Sequence, residues 1–265
     1  MLWNASALKG FSVEASDGAI GTVTDLLFDD KTWTLRWLVV HTAWLFGRHV
    51  LLPLSALGKP DVDTRKFPVH LTKAQVKESP DVDTDLPVSR HVEAHVYNYY
   101  DANPYWTSGF SGMDNAIATP YVLPLSRNDT GPRYQNGTDA LLDDGDPHLR
   151  SVNAVIGYHI QATDGEIGHV EDFIVDDADW RIRLVTVDTK NWLPGERVVL
   201  PPSAISEIDW VGELIYVKES RERVKESPPY NPGMTEDGPF NDDFHRFAGV
   251  TLLNGDELDR LRIGR

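Results

Sequence analysis

The amino-acid sequence predicts a mainly β protein made of two small β-barrels, each followed by a short helix and joined by a long aromatic-rich segment. Two observations support this fold class: an internal duplication, and short apolar runs separated by turn residues. The stretch DGAIGTVTDLLFDD begins at Asp17, and DGEIGHVEDFIVDD begins at Asp164, 147 positions later. A repeat of this length indicates two copies of a small domain rather than a solenoid.

The similarity between the copies extends beyond these stretches. Trp33 aligns with Trp180 at an offset of 147, and VKESP recurs from Val224 at an offset of 148 from Val76. The predicted organisation is repeat one at 1–80, a connecting arm at 81–148, repeat two at 149–230, and a tail at 231–265 in which a short helix is possible.

Each repeat shows the same order of local signals. Asp17 and Gly18 form a turn dipeptide that predicts a hairpin, and Gly21 inside the next apolar run predicts a bulge or bend. The Asp29-Asp30 turn ends that strand, and an alternating run from Trp33 predicts the following one. A lone unit of about 80 residues buries only about 60–65% of its chain surface, so two copies in one chain favour a shared contact.

A short helix is predicted at the end of each repeat. In LTKAQVKESP, Thr72 is placed as the N-cap and Gln75 completes a capping box, while Leu71 and Val76 suit a hydrophobic staple. Ser220 takes the place of Thr72 in repeat two.

The repeated polar and glycine residues are interpreted as structural. Asp25 and Asp172 lie within strands, and we expect them to meet Arg36 and Arg183 across a hairpin. The full set of repeated positions is Asp17, Gly18, Gly21, Asp25, Trp33 and Arg36 in repeat one, and Asp164, Gly165, Gly168, Asp172, Trp180 and Arg183 in repeat two.

The connecting arm begins with a predicted amphipathic helix, SRHVEAHVYNYY, with Ser89 as N-cap. Its apolar stripe contains Val92, Val96 and Tyr99 or Tyr100, and its polar side contains Arg90, Glu93 and Asn98. Two interpretations remain open: the arm packs back on a barrel, or it docks on a partner, since Tyr and Trp dominate binding hot spots. The candidate partner-binding residues are Tyr105, Trp106 and Phe110 in the arm, with Trp44 and Phe46 in repeat one.

Two groups of residues are weak candidates for a metal site. Asp176, Asp177 and Asp179 resemble an oxygen-ligand cluster, but their spacing also suits a turn, which is favoured. His91 and His95 lie on one helical face without the H-E-x-x-H pattern of zinc hydrolases. With no catalytic motif and no cysteine, the expectation is a chain without cofactor, resident metal or enzymatic activity.

The order of these signals resembles a known family. DG-x-IG-x-V-x-D, an Asp-Asp turn, a Trp, and LLPLSA or VLPPSA resemble the PRC-barrel domain, and this resemblance covers both copies. That domain is the small β-barrel shared by the cytoplasmic part of the photosynthetic reaction-centre H subunit and by a ribosome-maturation factor. The resemblance implies a fold and docking on larger assemblies, and it implies no catalytic residue.

Composition narrows the functional expectation. A net charge of −16 disfavours direct nucleic-acid binding, no signal peptide is visible at the start, and no apolar run reaches the length of a membrane span. The first hypothesis is a cytoplasmic interaction or adaptor module with a protein partner, either monomeric with pseudo-two-fold barrels or homodimeric. The alternatives are an accessory factor of photosynthetic or electron-transfer complexes, and a ribosome-assembly-associated factor, which the acidic charge disfavours.

Overall fold

A computed structural model describes residues 1–42, 47–80, 90–102, 148–189 and 197–226. Repeat one contributes strands β1 (Leu2–Asn4), β2 (Ser12–Ala15), β3 (Gly18–Asp29), β4 (Thr34–Thr42), β5 (Arg48–Pro53) and β6 (Lys66–Pro68). Repeat two contributes β7 (Leu149–Ser151), β8 (His159–Ala162), β9 (Gly165–Asp176), β10 (Arg181–Asp188), β11 (Arg197–Leu200), β12 (Ile205–Asp209) and β13 (Leu214–Val217). The described helices are α1 (Lys73–Lys77), α2 (Arg90–Tyr99), α3 (Val152–Val155) and α4 (Arg221–Lys225), with 3₁₀ turns at Ala5–Leu8, Leu54–Ala56 and Pro202–Ala204.

The two repeats have matching strand pairings, which confirms the mainly β prediction. In repeat one, β2, β3, β4 and β5 pair antiparallel in succession, and β6 pairs parallel with β2. In repeat two, β8, β9, β10 and β11 pair in the same way, and β13 pairs parallel with β8. Repeat two also forms the β12–β13 hairpin, where repeat one has isolated bridges.

The repeats exchange their first strands. β1 of repeat one pairs with β9 of repeat two, and β7 of repeat two pairs with β3 of repeat one. The registers correspond, since Asn4 lies opposite Ile174 and Ser151 lies opposite Leu27. This reciprocal pairing agrees with the predicted pseudo-two-fold relation and makes each barrel depend on a strand from the other repeat.

β4 and β10 meet where the pseudo-two-fold relation is centred. Thr34 pairs with Arg181, the Leu35 amide donates to the Trp180 carbonyl at 2.8 Å, and the Ile182 amide donates to the Trp33 carbonyl at 2.7 Å. Trp33 and Trp180 have φ values of 54° and 57°, a region that bulky side chains rarely adopt. The paired hydrogen bonds hold both strained residues in place.

One hydrophobic core runs through both repeats. The Phe28 and Phe173 rings, one from each repeat, lie 5.5 Å apart, and Trp33 stacks on Phe28 at the same ring separation. The buried cluster that contains them extends from Trp3 in repeat one to Val224 in repeat two. The barrels therefore act as one packed unit, in contrast to two separately packed domains.

The terminal helices follow the predicted capping. The Thr72 side chain accepts from the Gln75 amide and the Gln75 side chain accepts from the Thr72 amide, which completes the capping box. Ser220 caps α4 by accepting from the Arg223 amide. Leu71 and Val76, the predicted staple, are both buried in the common core.

Candidate functional site

The repeated Asp-Gly dipeptide anchors the terminal helix of its own repeat. Asp17 Oδ1 accepts a 2.8 Å hydrogen bond from the Lys73 amide at the start of α1, and Asp164 Oδ1 accepts a 2.7 Å bond from the Arg221 amide at the start of α4. A carboxylate is favourable there because the first helical amides lack intrahelical acceptors. The sequence predicted a hairpin turn at this aspartate but carried no signal for its contact with the helix.

Gly21 and Gly168 allow two strands to approach closely. A Cβ at Gly21 would overlap the His41 carbonyl oxygen of β4, and a Cβ at Gly168 would overlap the Asp188 carbonyl oxygen of β10. A register shift lies beside each glycine in the β2–β3 and β8–β9 hairpins, as predicted from Gly21. These glycines are therefore required by packing.

Asp25 and Asp172 join the two repeats. Asp25 Oδ1 accepts from the Asn153 amide at 3.2 Å, and Asp172 Oδ1 accepts from the Ser6 amide at 3.1 Å. The Ser151 hydroxyl also donates to Asp25 at 2.5 Å. Each carboxylate thus caps the first short helix or 3₁₀ turn of the opposite repeat.

The predicted ion pairs between Asp25 and Arg36, and between Asp172 and Arg183, are wrong. Arg36 pairs with Asp29, and Arg183 pairs with Asp176 at 2.9 Å. The reason is strand exchange, because the exchanged segment supplies amides and hydroxyls to Asp25 and Asp172. Burial raises the pKa of both Asp25 and Asp172, and their hydrogen bonds oppose that rise.

A buried network of charged residues holds helix α2 against repeat one. Glu93 Oε1 accepts from the Trp37 indole nitrogen at 2.7 Å, and Glu93 Oε2 lies 3.5 Å from the Arg36 guanidinium. Arg36 also binds Asp29, and the Asp29, Arg36 and Glu93 residues are 3%, 5% and 0% exposed. Placing Glu93 on the polar side of the helix was therefore wrong: its carboxylate is buried because Trp37 and Arg36 offer it donors.

Helix α2 covers an apolar outer face of repeat one. Val96 and Tyr97 are buried against Leu27, Trp37 and Leu51, and Tyr100 packs at the edge of this cluster. The Tyr97 and Trp37 rings lie 4.5 Å apart. Burial raises the pKa of Tyr100 to about 12. The interpretation in which the start of the arm packs back on a barrel is correct for Val96 and Tyr100; Ser89 and the Val92 side chain lie outside the described residues.

The residues proposed as weak metal ligands have other partners. Asp176 and Asp179 both accept from Arg183, and Asp177 accepts from the Met1 amino group and from the Trp3 indole nitrogen. His95 is exposed, and the His91 side chain is not described. Within the described ranges, no group of three or more His, Asp or Glu residues has a geometry that could hold a metal ion.

A cleft of about 500 Å³ lies between the repeats, lined by Asp30, Lys31, Trp33, His148, Arg150, Pro202, Ile205, Ser206, Glu207, Ile208 and Trp210. The Arg150 guanidinium lies 4.0 Å from the centre of the Trp210 ring, and Arg150 Nε donates to Asp30 at 3.1 Å. His148 Nδ1 lies 2.9 Å from the other Asp30 oxygen. The cleft therefore combines aromatic surface with an ordered charged wall, and both repeats are needed to form it.

The pseudo-symmetric position on the opposite side is filled by side chains. There, Trp180 stacks on Phe67 with ring centres 5.7 Å apart, and Trp3 packs edge-on against Phe11 at 6.2 Å. On the cleft side, Ile215 replaces Phe67 in the alignment and Arg150 replaces Trp3. The space that Phe67 and Trp3 occupy on the opposite side therefore stays open on the cleft side, where the aligned side chains are smaller or charged.

The β12–β13 turn forms one edge of the cleft and carries an exposed apolar tip. Val211 is 96% exposed and directly follows Trp210. The sequence signal for this site lies in aligned positions where the repeats differ, such as Trp3 with Arg150 and Val62 with Trp210, and not in the positions that they share. The earlier partner candidates Trp44, Phe46, Tyr105, Trp106 and Phe110 lie outside the described residues.

The expectation of a chain without enzymatic activity stays a prediction. In the part of the chain that the structure describes, no helix combines the length and apolar character needed to cross a membrane.

Comparison with known proteins agrees with this architecture. The chain matches no curated protein. The family model of the PRC-barrel domain matches residues 4–76 and 147–224, which together make up more than half of the chain. PRC-barrel domains are known protein-interaction modules. The two matched segments coincide with the two strand-exchanged barrels, and the chain belongs to the PRC-barrel family as a tandem member.

Proposed function

We propose that this protein is a non-catalytic adaptor that docks on a protein assembly through the cleft between its two barrels. The observation that carries the proposal is the asymmetry of the cleft: it is open beside Trp33 and Trp210, whereas the equivalent space beside Trp180 is filled by Phe67. Stability does not explain this difference between the repeats, because filling the space with an aromatic side chain, as beside Trp180, gives closer packing than leaving it open.

The chemistry of the cleft suits a protein partner. Trp and Arg are among the residue types most enriched in binding hot spots, and both Trp210 and Arg150 line the cleft and contact each other. The exposed Val211 extends the apolar surface beyond the cleft. A partner that inserts an apolar side chain between Trp33 and Trp210, with basic residues around it, would complement both the cleft and the net charge of −16.

Affinity purification of the tagged full-length chain, followed by mass spectrometry, tests the proposal. Val211→Glu should abolish recovery of the enriched protein, because a charge would replace the exposed apolar tip, while the melting temperature stays within about 2 °C of the parent value, as expected for a surface substitution. Val62→Glu, at the aligned turn of repeat one, is the matched control and should leave recovery unchanged.

The contrary results are also clear. Equal recovery with the parent and the Val211→Glu chain would remove the cleft as the docking site. Turnover of a small-molecule substrate by the purified chain, lost on substitution of Arg150 or His148, would replace the adaptor proposal with an enzymatic one.

A further inference from the structure

The end of β4 and the start of β5 bring two histidines together on the outer face of repeat one. His41 lies directly opposite His49 in the antiparallel pairing, and their ring centres are 5.2 Å apart. Val39 and Leu51, two positions away along the same strands, belong to the cluster on this face, and side chains two apart on a strand share a face. The pair shares no residue with the cleft between the repeats.

The two imidazoles are held in place while their nitrogens stay available. Both histidines are partly buried, which restricts their rotamers, and the two rings pack against each other. Within the described ranges, their ring nitrogens make no hydrogen bond or ion pair. A Cβ at Gly47 would lie 3.1 Å from His41 Nε2, so the glycine leaves room for a ligand beside that nitrogen.

The aligned positions of repeat two carry a different pair. His41 aligns with Asp188 and His49 aligns with Arg197, and these two residues also lie directly opposite each other. Opposite charges suit cross-strand neighbours, and Arg197 pairs in addition with Glu171 at 2.6 Å. Two imidazoles gain no such attraction and would repel each other if both were protonated. Strand pairing therefore does not explain the two histidines of repeat one.

We propose that His41 and His49 together bind a Zn²⁺ ion and that water completes its coordination. Neutral imidazole is a preferred ligand of this ion. Two imidazoles bound to one tetrahedral Zn²⁺ through nitrogens at about 2.0–2.1 Å have ring centres about 5 Å apart. The separation of 5.2 Å between the two rings matches this geometry. The net charge of −16 also favours a cation at the surface.

The ion would connect β4 to β5, because each strand supplies one ligand. The neighbouring pair consists of Thr42 and Arg48, and the Thr42 hydroxyl donates to the Arg48 carbonyl at 3.0 Å. A metal at the next pair adds a second connection and should oppose opening of these strand ends. The sequence predicted no resident metal, because the position of His41 opposite His49 depends on the register of two strands.

Titration of the untagged full-length chain with ZnCl₂, after removal of metals by a chelator, tests the proposal. Isothermal titration calorimetry should show a saturable site whose affinity falls roughly tenfold or more in His41→Gln and in His49→Gln, since each variant removes one of two ligands. The double variant should lose little more than either single variant, because one substitution already breaks the chelate.

The matched control uses a second pair of histidines that lie opposite each other. His159 pairs with His169 between β8 and β9, but their imidazoles face carboxylates, Glu166 at 2.9 Å and Asp188 at 3.8 Å. The His159→Gln/His169→Gln chain should therefore bind Zn²⁺ as the parent does. No saturable binding by the parent, unchanged affinity in His41→Gln, or loss of binding in the control variant would overturn the proposal.

Chemical modification of the parent chain provides a readout that requires no variant. Diethyl pyrocarbonate modifies accessible imidazoles, and mass spectrometry of the peptides locates the modified residues. Saturating Zn²⁺ should slow modification of His41 and His49 by roughly tenfold or more and leave the rate at His159 unchanged. Equal rates at His41 and His49 with and without Zn²⁺ would contradict the proposal, even if the Gln variants prove too unstable to titrate.

Discussion

The indole N–H of Trp37 donates a 2.7 Å hydrogen bond to the carboxylate of Glu93, and both residues are fully buried. This bond connects β4 to α2, so it attaches the connecting arm to repeat one. Because this hydrogen bond lies in the interior, neither the indole N–H nor the carboxylate can bind water in place of its partner. The bond therefore favours one position of α2 on the sheet.

Removing this acceptor should destabilise the protein. Glu93→Leu should lower the free energy of unfolding by about 3–5 kcal/mol, because it removes a buried ion-pair partner of Arg36 and the acceptor for Trp37. Glu93→Gln retains an acceptor and should cost about 1–3 kcal/mol. Urea unfolding measures both values, and the Trp37→Leu/Glu93→Leu double variant should show a coupling of about 0.5–3 kcal/mol. Equal stability of parent and Glu93→Leu chains would mean that α2 is not held by this network.

Arg36 and Arg183 occupy aligned positions but differ in their surroundings. The Arg36 side chain is 4% exposed and the Arg183 side chain is 35% exposed. Arg36→Met should cost about 3–5 kcal/mol because it leaves Asp29 and Glu93 buried without this cation. Arg183→Met should cost about 0–1 kcal/mol because its ion pairs are partly solvated. Denaturant unfolding of both variants measures their free energies of unfolding. Similar losses of stability for the two variants would contradict the prediction.

Gly21 should not tolerate a side chain. Gly21→Ala forces a Cβ against the His41 carbonyl oxygen, a backbone atom that cannot move without breaking β3–β4 pairing, and should cost about 4 kcal/mol or more. Gly157→Ala is the control: a Cβ there meets no atom within 4 Å, so only its φ of +98° opposes the change, at about 1–3 kcal/mol. Melting curves and urea titrations report the losses. A smaller loss at Gly21 than at Gly157 would contradict the packing argument.

The buried carboxylates between the repeats should give stability a particular pH dependence. Burial raises the pKa of Asp25 and Asp172 above the ordinary 3.8, so the folded chain holds these protons to higher pH than the unfolded chain. Their contribution to the free energy of unfolding is therefore present below pH 3.8 and is lost as pH rises through the folded pKa values.

The Asp25→Asn/Asp172→Asn variant removes that contribution. The difference in unfolding free energy, variant minus parent, should therefore increase as pH rises from 3.8 through the folded pKa values. Asp61→Asn should behave in the opposite way, because hydrogen bonds from Thr64 lower the pKa of the exposed Asp61. Its contribution is present above pH 3.8 and is lost as pH falls through the folded pKa. Urea titrations between pH 3 and 7 measure both difference curves. A falling or flat curve for the double variant would contradict the burial argument.

The aromatic tip of the connecting arm remains a separate partner-binding candidate. Changing Tyr105, Trp106 and Phe110 together to Ala should leave the melting temperature unchanged and abolish recovery of the protein partner, since large aromatics dominate hot spots. A melting temperature lowered by roughly 5 °C or more would instead mean that these residues pack in the fold, because each aromatic lost from a core costs about 3–5 kcal/mol.

Local structure was predictable from the sequence alone. The duplicated motif, the turn at Asp17 and Gly18, the bulge at Gly21 and the capping box at Thr72 depend on neighbouring residues, and their physical signals lie within a few positions of each other. The order of these signals also identified the family, because the order itself was duplicated.

What only the tertiary structure decided were contacts between residues distant in sequence. Strand exchange directs Asp25 to Asn153 instead of Arg36, and burial of Glu93 depends on Trp37 and Arg36 more than 50 positions away. The open cleft likewise depends on Asp30 of repeat one meeting Arg150 of repeat two, 120 positions away. Periodicity describes which face of an element is apolar, but the donors, acceptors and free space at that face belong to whichever element packs against it.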